Sequence, residues 1–133
     1  MPLDQLVYDV FAKNCTSRRV MDTVAGRWGI LTLAALQEGT HRFNELRRRV
    51  DGVSEKMLSQ TLHALERDGL VVREVLSAIP PRVEYSLTDS GRRIAAKLSE
   101  LIDLVEAEMP DITVAQERYD AREPASDSTP ATR

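Results

Sequence analysis

Asp51-Gly52-Val53-Ser54-Glu55-Lys56-Met57-Leu58-Ser59-Gln60-Thr61-Leu62-His63-Ala64-Leu65-Glu66-Arg67-Asp68-Gly69-Leu70 reads as a turn, a capped helix and a glycine stop. Ser54 suits the cap, because its hydroxyl can accept a hydrogen bond from a free backbone N–H of the first turn. Leu58, Leu62 and Leu65 follow at i, i+4 and i+7, an apolar stripe for a core. Lys56, Ser59, Gln60 and His63 recur at helical spacing on the other side. That second face is compact, rich in hydrogen-bonding groups and weakly charged. Such a face suits base edges and phosphates better than it suits an enzyme pocket.

Outward from this helix the period changes on the C-terminal side from 3.6 to 2. Leu70–Val75 and Val83–Leu87 read as paired strands. The prolines of the intervening Leu76–Arg82 stretch predict a loop there. Thr88 is a second cap, opening a helix from Asp89 to Met109 with Ile94, Leu98, Leu101, Ile102, Val105 and Met109 along one edge, and Pro110 is expected to end it. On the N-terminal side, Phe43–Val50 reads as a helix with Phe43, Leu46 and Val50 inward and the arginines outward. Ser17–Val24 and Trp28–Leu36 are two more helices, parted at Gly26, and Thr40–Phe43 is short enough for a small strand. The expected fold is mainly α with a small β-hairpin: a winged helix-turn-helix with N- and C-terminal dimerisation helices.

Four segments follow. Residues 1–16 hold an amphipathic dimerisation helix (Leu3, Leu6, Val7, Val10, Phe11) and the stretch leading to Cys15. Residues 17–88 are the winged domain, residues 89–109 a C-terminal dimerisation helix, and residues 110–133 a disordered tail, since beyond Gln116 apolar side chains almost vanish. Leu98, Leu101, Ile102 and Val105 are the dimerisation candidates on the last helix. The first stripe is too small to form a core of its own, so it predicts a homodimer.

Composition narrows the function. With 133 residues the chain is large enough for one real core, and 42% hydrophobic with 29% charged residues is ordinary for a globular protein. No apolar run approaches the roughly 18 residues needed to span a bilayer, and no secretory leader is evident, so a cytoplasmic protein without membrane attachment is expected. The net charge of −3 is unevenly placed: residues 17–98 carry a balance of +4 and residues 99–133 one of −6. Polyanion binding depends on local field, so the basic centre is compatible with DNA.

Taken in order, several motifs resemble one family. Cys15, Gly26-Arg27-Trp28, Arg42-Phe43-Asn44-Glu45-Leu46, Gly52-Val53-Ser54-Glu55-Lys56-Met57-Leu58, Leu65-Glu66-Arg67-Asp68-Gly69-Leu70-Val71, Val83-Glu84-Tyr85-Ser86-Leu87-Thr88 and Gly91 are similar to the HxlR-type regulators, relatives of the MarR group. The likeness covers roughly residues 6 to 109, and Thr16 stands where the family's usual proline follows the cysteine. It implies a homodimeric transcription factor, a repressor by expectation, that binds double-stranded DNA at a palindromic operator. The expected DNA contacts are Arg42, Arg47, Arg48, Ser54, Lys56, Ser59, Gln60, His63 and Arg82, with two recognition helices about 34 Å apart in successive major grooves. In many members the cysteine ahead of the first core helix senses oxidants or electrophiles.

Cys15 itself has two readings. Unpaired cysteines are often small buried hydrophobes. Against that, Lys13-Asn14-Cys15-Thr16-Ser17-Arg18-Arg19 is polar and basic, and a thiol at a helix N-terminus beside arginines favours the reactive thiolate. With no second cysteine, oxidation could give an intersubunit disulfide, a mixed disulfide or a sulfenic acid. Two other readings stay open: a small-molecule-responsive regulator in which Cys15 is structural, and a helical dimerising adaptor for an acidic protein partner. Catalysis is not expected. His41 and His63 lack an orienting partner, no glycine-rich phosphate loop occurs, no Cys/His spacing suits a metal, and no cofactor is implied.

Overall fold

The computed structural model describes residues 7–122. Its elements are α1 (Thr16–Val24), α2 (Arg27–Glu38), β1 (His41–Arg42), α3 (Phe43–Arg49), α4 (Glu55–Arg67), β2 (Val71–Ala78), β3 (Pro81–Leu87) and α5 (Asp89–Arg122). The strands form one antiparallel sheet in the order β1-β3-β2. His41 lies opposite Tyr85, and Val71 opposite Leu87. β2 is therefore an outer strand, with its register broken between Val75 and Ser77. This is the winged helix-turn-helix expected from the alternation of periods.

The described residues divide into two compact units, one ending at Ser99 and the other beginning at Glu100. In the first, Leu33, Leu46, Leu58, Leu62 and Leu65 are fully buried, and Val24, Ala35, Leu36, Val50, Val53, Leu70, Val71, Leu87 and Ala95 complete the core. Trp28, Phe43, Tyr85, Ile94 and Leu98 are half-buried against it. The leucine stripe of α4 is thus the centre of the core, and burying each such side chain contributes about 1.5–3 kcal/mol. Thr32 of α2 also lies inside; its hydroxyl is the buried side-chain polar atom without a hydrogen-bond partner among the described residues.

Gly69 ends α4 at φ +75°, a conformation that costs a side-chain-bearing residue about 1–2 kcal/mol. Its N–H bonds the Glu66 carbonyl at 3.0 Å, and the Leu70 N–H bonds Leu65 at 2.9 Å. Thr88 fastens the start of α5 to this corner: its hydroxyl donates to the Gly69 carbonyl at 2.7 Å and accepts from the Gly91 N–H at 3.0 Å. Gly91 lies so close that an added Cβ would fall 2.0 Å from the Leu70 carbonyl oxygen.

Three expectations are corrected. Residues 7–15 form turns, not a helix: the Asp9 carboxylate accepts the Phe11 N–H at 2.9 Å, and successive turns then close at Ala12 and Cys15. Local side-chain bonding of this kind competes with helix, and Val7 and Phe11 remain exposed. Leu3 and Leu6 lie outside the described residues. The wing loop is also shorter than expected. β2 runs on to Ala78 and β3 begins at Pro81, leaving Ile79-Pro80 as the turn, with a cis bond between them. Pro81 is tolerated because it is the first residue of its strand. Finally, α5 does not stop at Met109; it continues through Pro110 to Arg122, so residues 110–122 of the expected tail are helical. A proline removes one backbone donor, and the strong helix formers on either side (Glu106, Ala107, Glu108; Ala115, Gln116, Glu117) hold the flanking turns. Residues 123–133 of that expected tail lie outside the described residues.

Candidate nucleic-acid interface

Ser54 caps α4 as its sequence suggests, its hydroxyl accepting the Met57 N–H at 3.0 Å. With Leu58, Leu62 and Leu65 buried, the helical period forces Lys56, Ser59, Gln60 and His63 outward, and all four are exposed. Nothing in the described chain covers this face. It is flanked by a groove on each side.

One groove, about 530 Å³, lies between α3 and the start of α4 and is lined by Asn44, Arg47, Arg48, Asp51, Gly52, Val53 and Glu55. Arg47 does not point there freely: its Nη1 is 3.2 Å from Glu55 Oε2, with both side chains largely exposed. Arg48, Lys56 and Arg82 have no carboxylate at ion-pair distance among the described residues. The third arginine of the run, Arg49, turns away and pairs with Glu38 of α2 through two bonds of 2.8 and 2.5 Å. That bidentate contact holds the Glu38 carboxyl below its ordinary pKa. Arg42 sits exposed on β1, where its backbone N–H donates to Glu45 Oε1 at 2.7 Å and lowers the carboxyl pKa of Glu45.

The other groove, about 290 Å³, runs between α4 and the α1–α2 corner, and Gln60, Met57 and Thr61 face Arg27, Trp28 and Thr23 across it. The Arg27 guanidinium lies over the Trp28 ring, 5.5 Å from its centroid. Arg27 and Asn44 thus join the surface around α4, although sequence reasoning passed over both. Their signal was present in Gly26-Arg27-Trp28 and Arg42-Phe43-Asn44, but neither residue belongs to a periodic stripe.

Arg82 is exposed on β3 opposite Ser77, one residue pair behind the turn. Further down the hairpin Glu74 and Glu84 lie directly opposite each other. Ile79 at the tip is 91% exposed. Arg42 pairs in register with Glu84, so Arg42 and Arg82 share one end of the sheet.

Cys15 is the residue before α1 and is half-exposed. Its Sγ lies 3.3 Å from the Ser17 hydroxyl and accepts the Asp9 N–H at 3.3 Å. These bonds, the Ser17 hydroxyl first, lower the thiol pKa against the opposing effects of desolvation and the Asp9 charge. The cause differs from the one expected from sequence, since Arg18 donates to the Phe11 carbonyl at 3.4 Å. Beside Cys15 opens an apolar cleft of about 690 Å³, walled by Tyr8, Val10, Val20, Met21, Val24, Ile94 and Leu98 with Thr16, Ser17, Arg93 and Lys97 at its rim. Of the dimerisation candidates, Val10 and Leu98 meet in this cleft. Leu101 and Val105 are exposed and Ile102 half-buried on the second unit.

No helix among the described residues is long and apolar enough to cross a membrane, and none of their His, Cys, Asp and Glu side chains cluster in a way that could hold a metal ion.

The sequence model of the HxlR-like helix-turn-helix family matches residues 23–113. The uncharacterized HTH-type transcriptional regulator YtfH of Escherichia coli K12 is 48% identical over 109 residues, covering 82% of this chain and 86% of YtfH. The solved structure of the transcriptional regulator ytfH from Salmonella typhimurium is similar with a TM-score of 0.79 and 47% identity, over 84% of this chain and 99% of that one. The redox regulator HypR in its reduced form is similar with a TM-score of 0.67 and 33% identity, over 74% of this chain and 97% of HypR.

Proposed function

The chain belongs to the HxlR-like helix-turn-helix family of transcriptional regulators, and from that premise we propose that it is a cytoplasmic, homodimeric repressor of a palindromic operator. The observation that carries this reading is the division of α4: three leucines buried, and Lys56, Ser59, Gln60 and His63 uncovered between two grooves. Inserted in a major groove, that face offers Gln60 to base edges, and bidentate pairing of a glutamine with adenine discriminates by about 1–3 kcal/mol. Ser54, Lys56, Ser59 and His63 complete the contact along the helix. Arg48 on one flank, with Arg42 and Arg82 at the sheet, meets phosphates that position the helix without reading sequence, and Arg47 stands beside Arg48 at the DNA, held back by its pair with Glu55. The 17–88 segment is the DNA-binding part and the two ends make the dimer.

The dimer forms by closing the apolar cleft around Val10 and Leu98 and by pairing α5 through Leu101, Ile102 and Val105. An exposed apolar surface of that kind is a common mark of association. Light scattering should give twice the 14.9 kDa of one chain; a monomer at micromolar concentration refutes it. An electrophoretic shift with the protein's own promoter region tests DNA binding, and failure of Gln60→Ala to change base preference would remove α4 from the reading role.

Cys15 is proposed as a redox or electrophile switch. Support comes from the Ser17 and Asp9 hydrogen bonds that favour its thiolate, from its place beside the cleft, and from the similarity to HypR, a redox regulator. Diamide should change operator affinity reversibly, with a coupling of about 1–3 kcal/mol, while Cys15→Ser should bind DNA and ignore diamide. Unchanged binding of the wild-type protein in diamide would leave Cys15 structural and point to a small-molecule effector.

A further inference from the structure

The tip of the wing is chemically unlike the rest of the surface proposed for DNA. From Leu76 to Pro81 no residue carries a charge. At its apex Ile79 is 91% exposed and precedes Pro80 in the two-residue turn. Arg82 stands one register pair behind, opposite Ser77, and the facing carboxylates Glu74 and Glu84 stand further back. The middle of the hairpin is thus crowded with charge of both signs, Arg42 lying in register with Glu84, whereas the tip carries no charge and has a guanidinium at its base.

We propose that Ile79, backed by Pro80, is an apolar wedge that enters the minor groove beside each half-site and leans on a base step there. This rests on the DNA-binding reading above. Aliphatic and proline side chains placed in the minor groove partly unstack a step and bend the duplex towards the major groove. Arg82, one register pair behind the turn, is held at the mouth of the groove, where its guanidinium meets a flanking phosphate. The facing Glu74 and Glu84 stop the hairpin from sinking deeper. Specificity then includes one step that α4 never touches: flexible pyrimidine–purine steps accept the wedge cheaply and stiff A-tracts do not.

The probe is a set of duplexes selected by the full-length protein from a random-sequence library, then varied only at the step flanking each half-site. Bending is read by fluorescence transfer between the duplex ends, and affinity by anisotropy. Wild type should bend the duplex and prefer a flexible flanking step over an A-tract. Ile79→Ser should lose most of the bend and about fivefold to tenfold in affinity for the flexible flank, with an unchanged salt slope, since no charge is removed. Ile79→Leu should restore both, which separates the wedge from any effect on hairpin folding. If Ile79→Ser keeps the bend, the flank preference and the affinity, the wedge is refuted while the role of α4 stands. If wild type selects no duplex at all, the DNA-binding reading falls and the wedge with it.

Discussion

Glu55 opens α4 and its carboxylate lies 3.2 Å from the Arg47 guanidinium, at the groove that faces DNA in the proposed complex. Two opposite consequences follow from replacing it with glutamine. The fold loses an acidic group from a helix N-terminus, worth about 0.3–1 kcal/mol. It also loses an exposed ion pair worth about 0–1 kcal/mol, which solvent screening places near the low end. The free protein should therefore melt slightly earlier. DNA binding should improve, because Arg47 becomes free to meet a phosphate and a repelling carboxylate has gone. One extra phosphate contact steepens the dependence of log affinity on log salt by about 0.9. Between 200 and 50 mM salt that is about 3.5-fold per subunit, or about twelvefold for a dimer, beyond the wild-type gain. Anisotropy titrations across that salt range, on specific and random duplexes alike, measure it. A double variant that also carries Arg47→Ala should lose the gain. If Glu55→Gln leaves the slope unchanged, Arg47 does not face phosphate and the α3 flank of the interface is misplaced.

Removing the hydroxyl beside Cys15 with Ser17→Ala should raise the thiol pKa towards its ordinary value, because that bond is the largest cause of its lowering; the pH profile of iodoacetamide alkylation should move to higher pH, and an unmoved profile would refute the assignment. Thr32→Val removes a fully buried hydroxyl that has no partner, so it should stabilise the protein by about 1 kcal/mol and raise Tm by about 3–5 °C; a lower Tm would show that the hydroxyl is bonded. Glu38, lowered by Arg49, contributes stability that is present above its unfolded pKa of about 4.3 and is lost as pH falls through the lower folded value. Melting curves of wild type and Glu38→Gln should thus differ at neutral pH and converge in acid, and a gap that persists in acid would contradict the pairing.

The elements around α4 were legible because each carries its own boundary signals. Ser54 caps, three leucines fix the inward face, and Gly69 supplies the one backbone conformation that stops the helix. The switch to period two after Gly69 placed the hairpin for the same reason. Pro110 and Pro81 were misleading, since both were read by residue type when position decides: one is flanked by good helix formers, and the other begins its strand. The stretch before Cys15 holds apolar residues at helical spacing, yet the Asp9 carboxylate bonds the Phe11 N–H and turns the chain instead. At the interface, the exposure of Lys56, Ser59, Gln60 and His63 could be read from the period of α4. The pairing of Arg47 with Glu55 and of Arg49 with Glu38 could not, because three adjacent arginines leave a helix in three directions and only the tertiary fold says which finds a carboxylate.

Because β3 lies between β1 and β2, β2 keeps one row of backbone donors and acceptors open along an outer strand that also exposes Val72, Val75 and Leu76. Such a border is a template on which another chain could add a strand. In the proposed complex the wing stays bare for DNA and no helix covers it, so the defence against sticking has to be written into the strand itself. The break in register between Val75 and Ser77 bends the border out of line, and Arg73 with Glu74 places charge where a flat neighbour would have to stack. Glu74 alone of the facing glutamates stands on that border, where a like charge on a second copy would oppose an added strand.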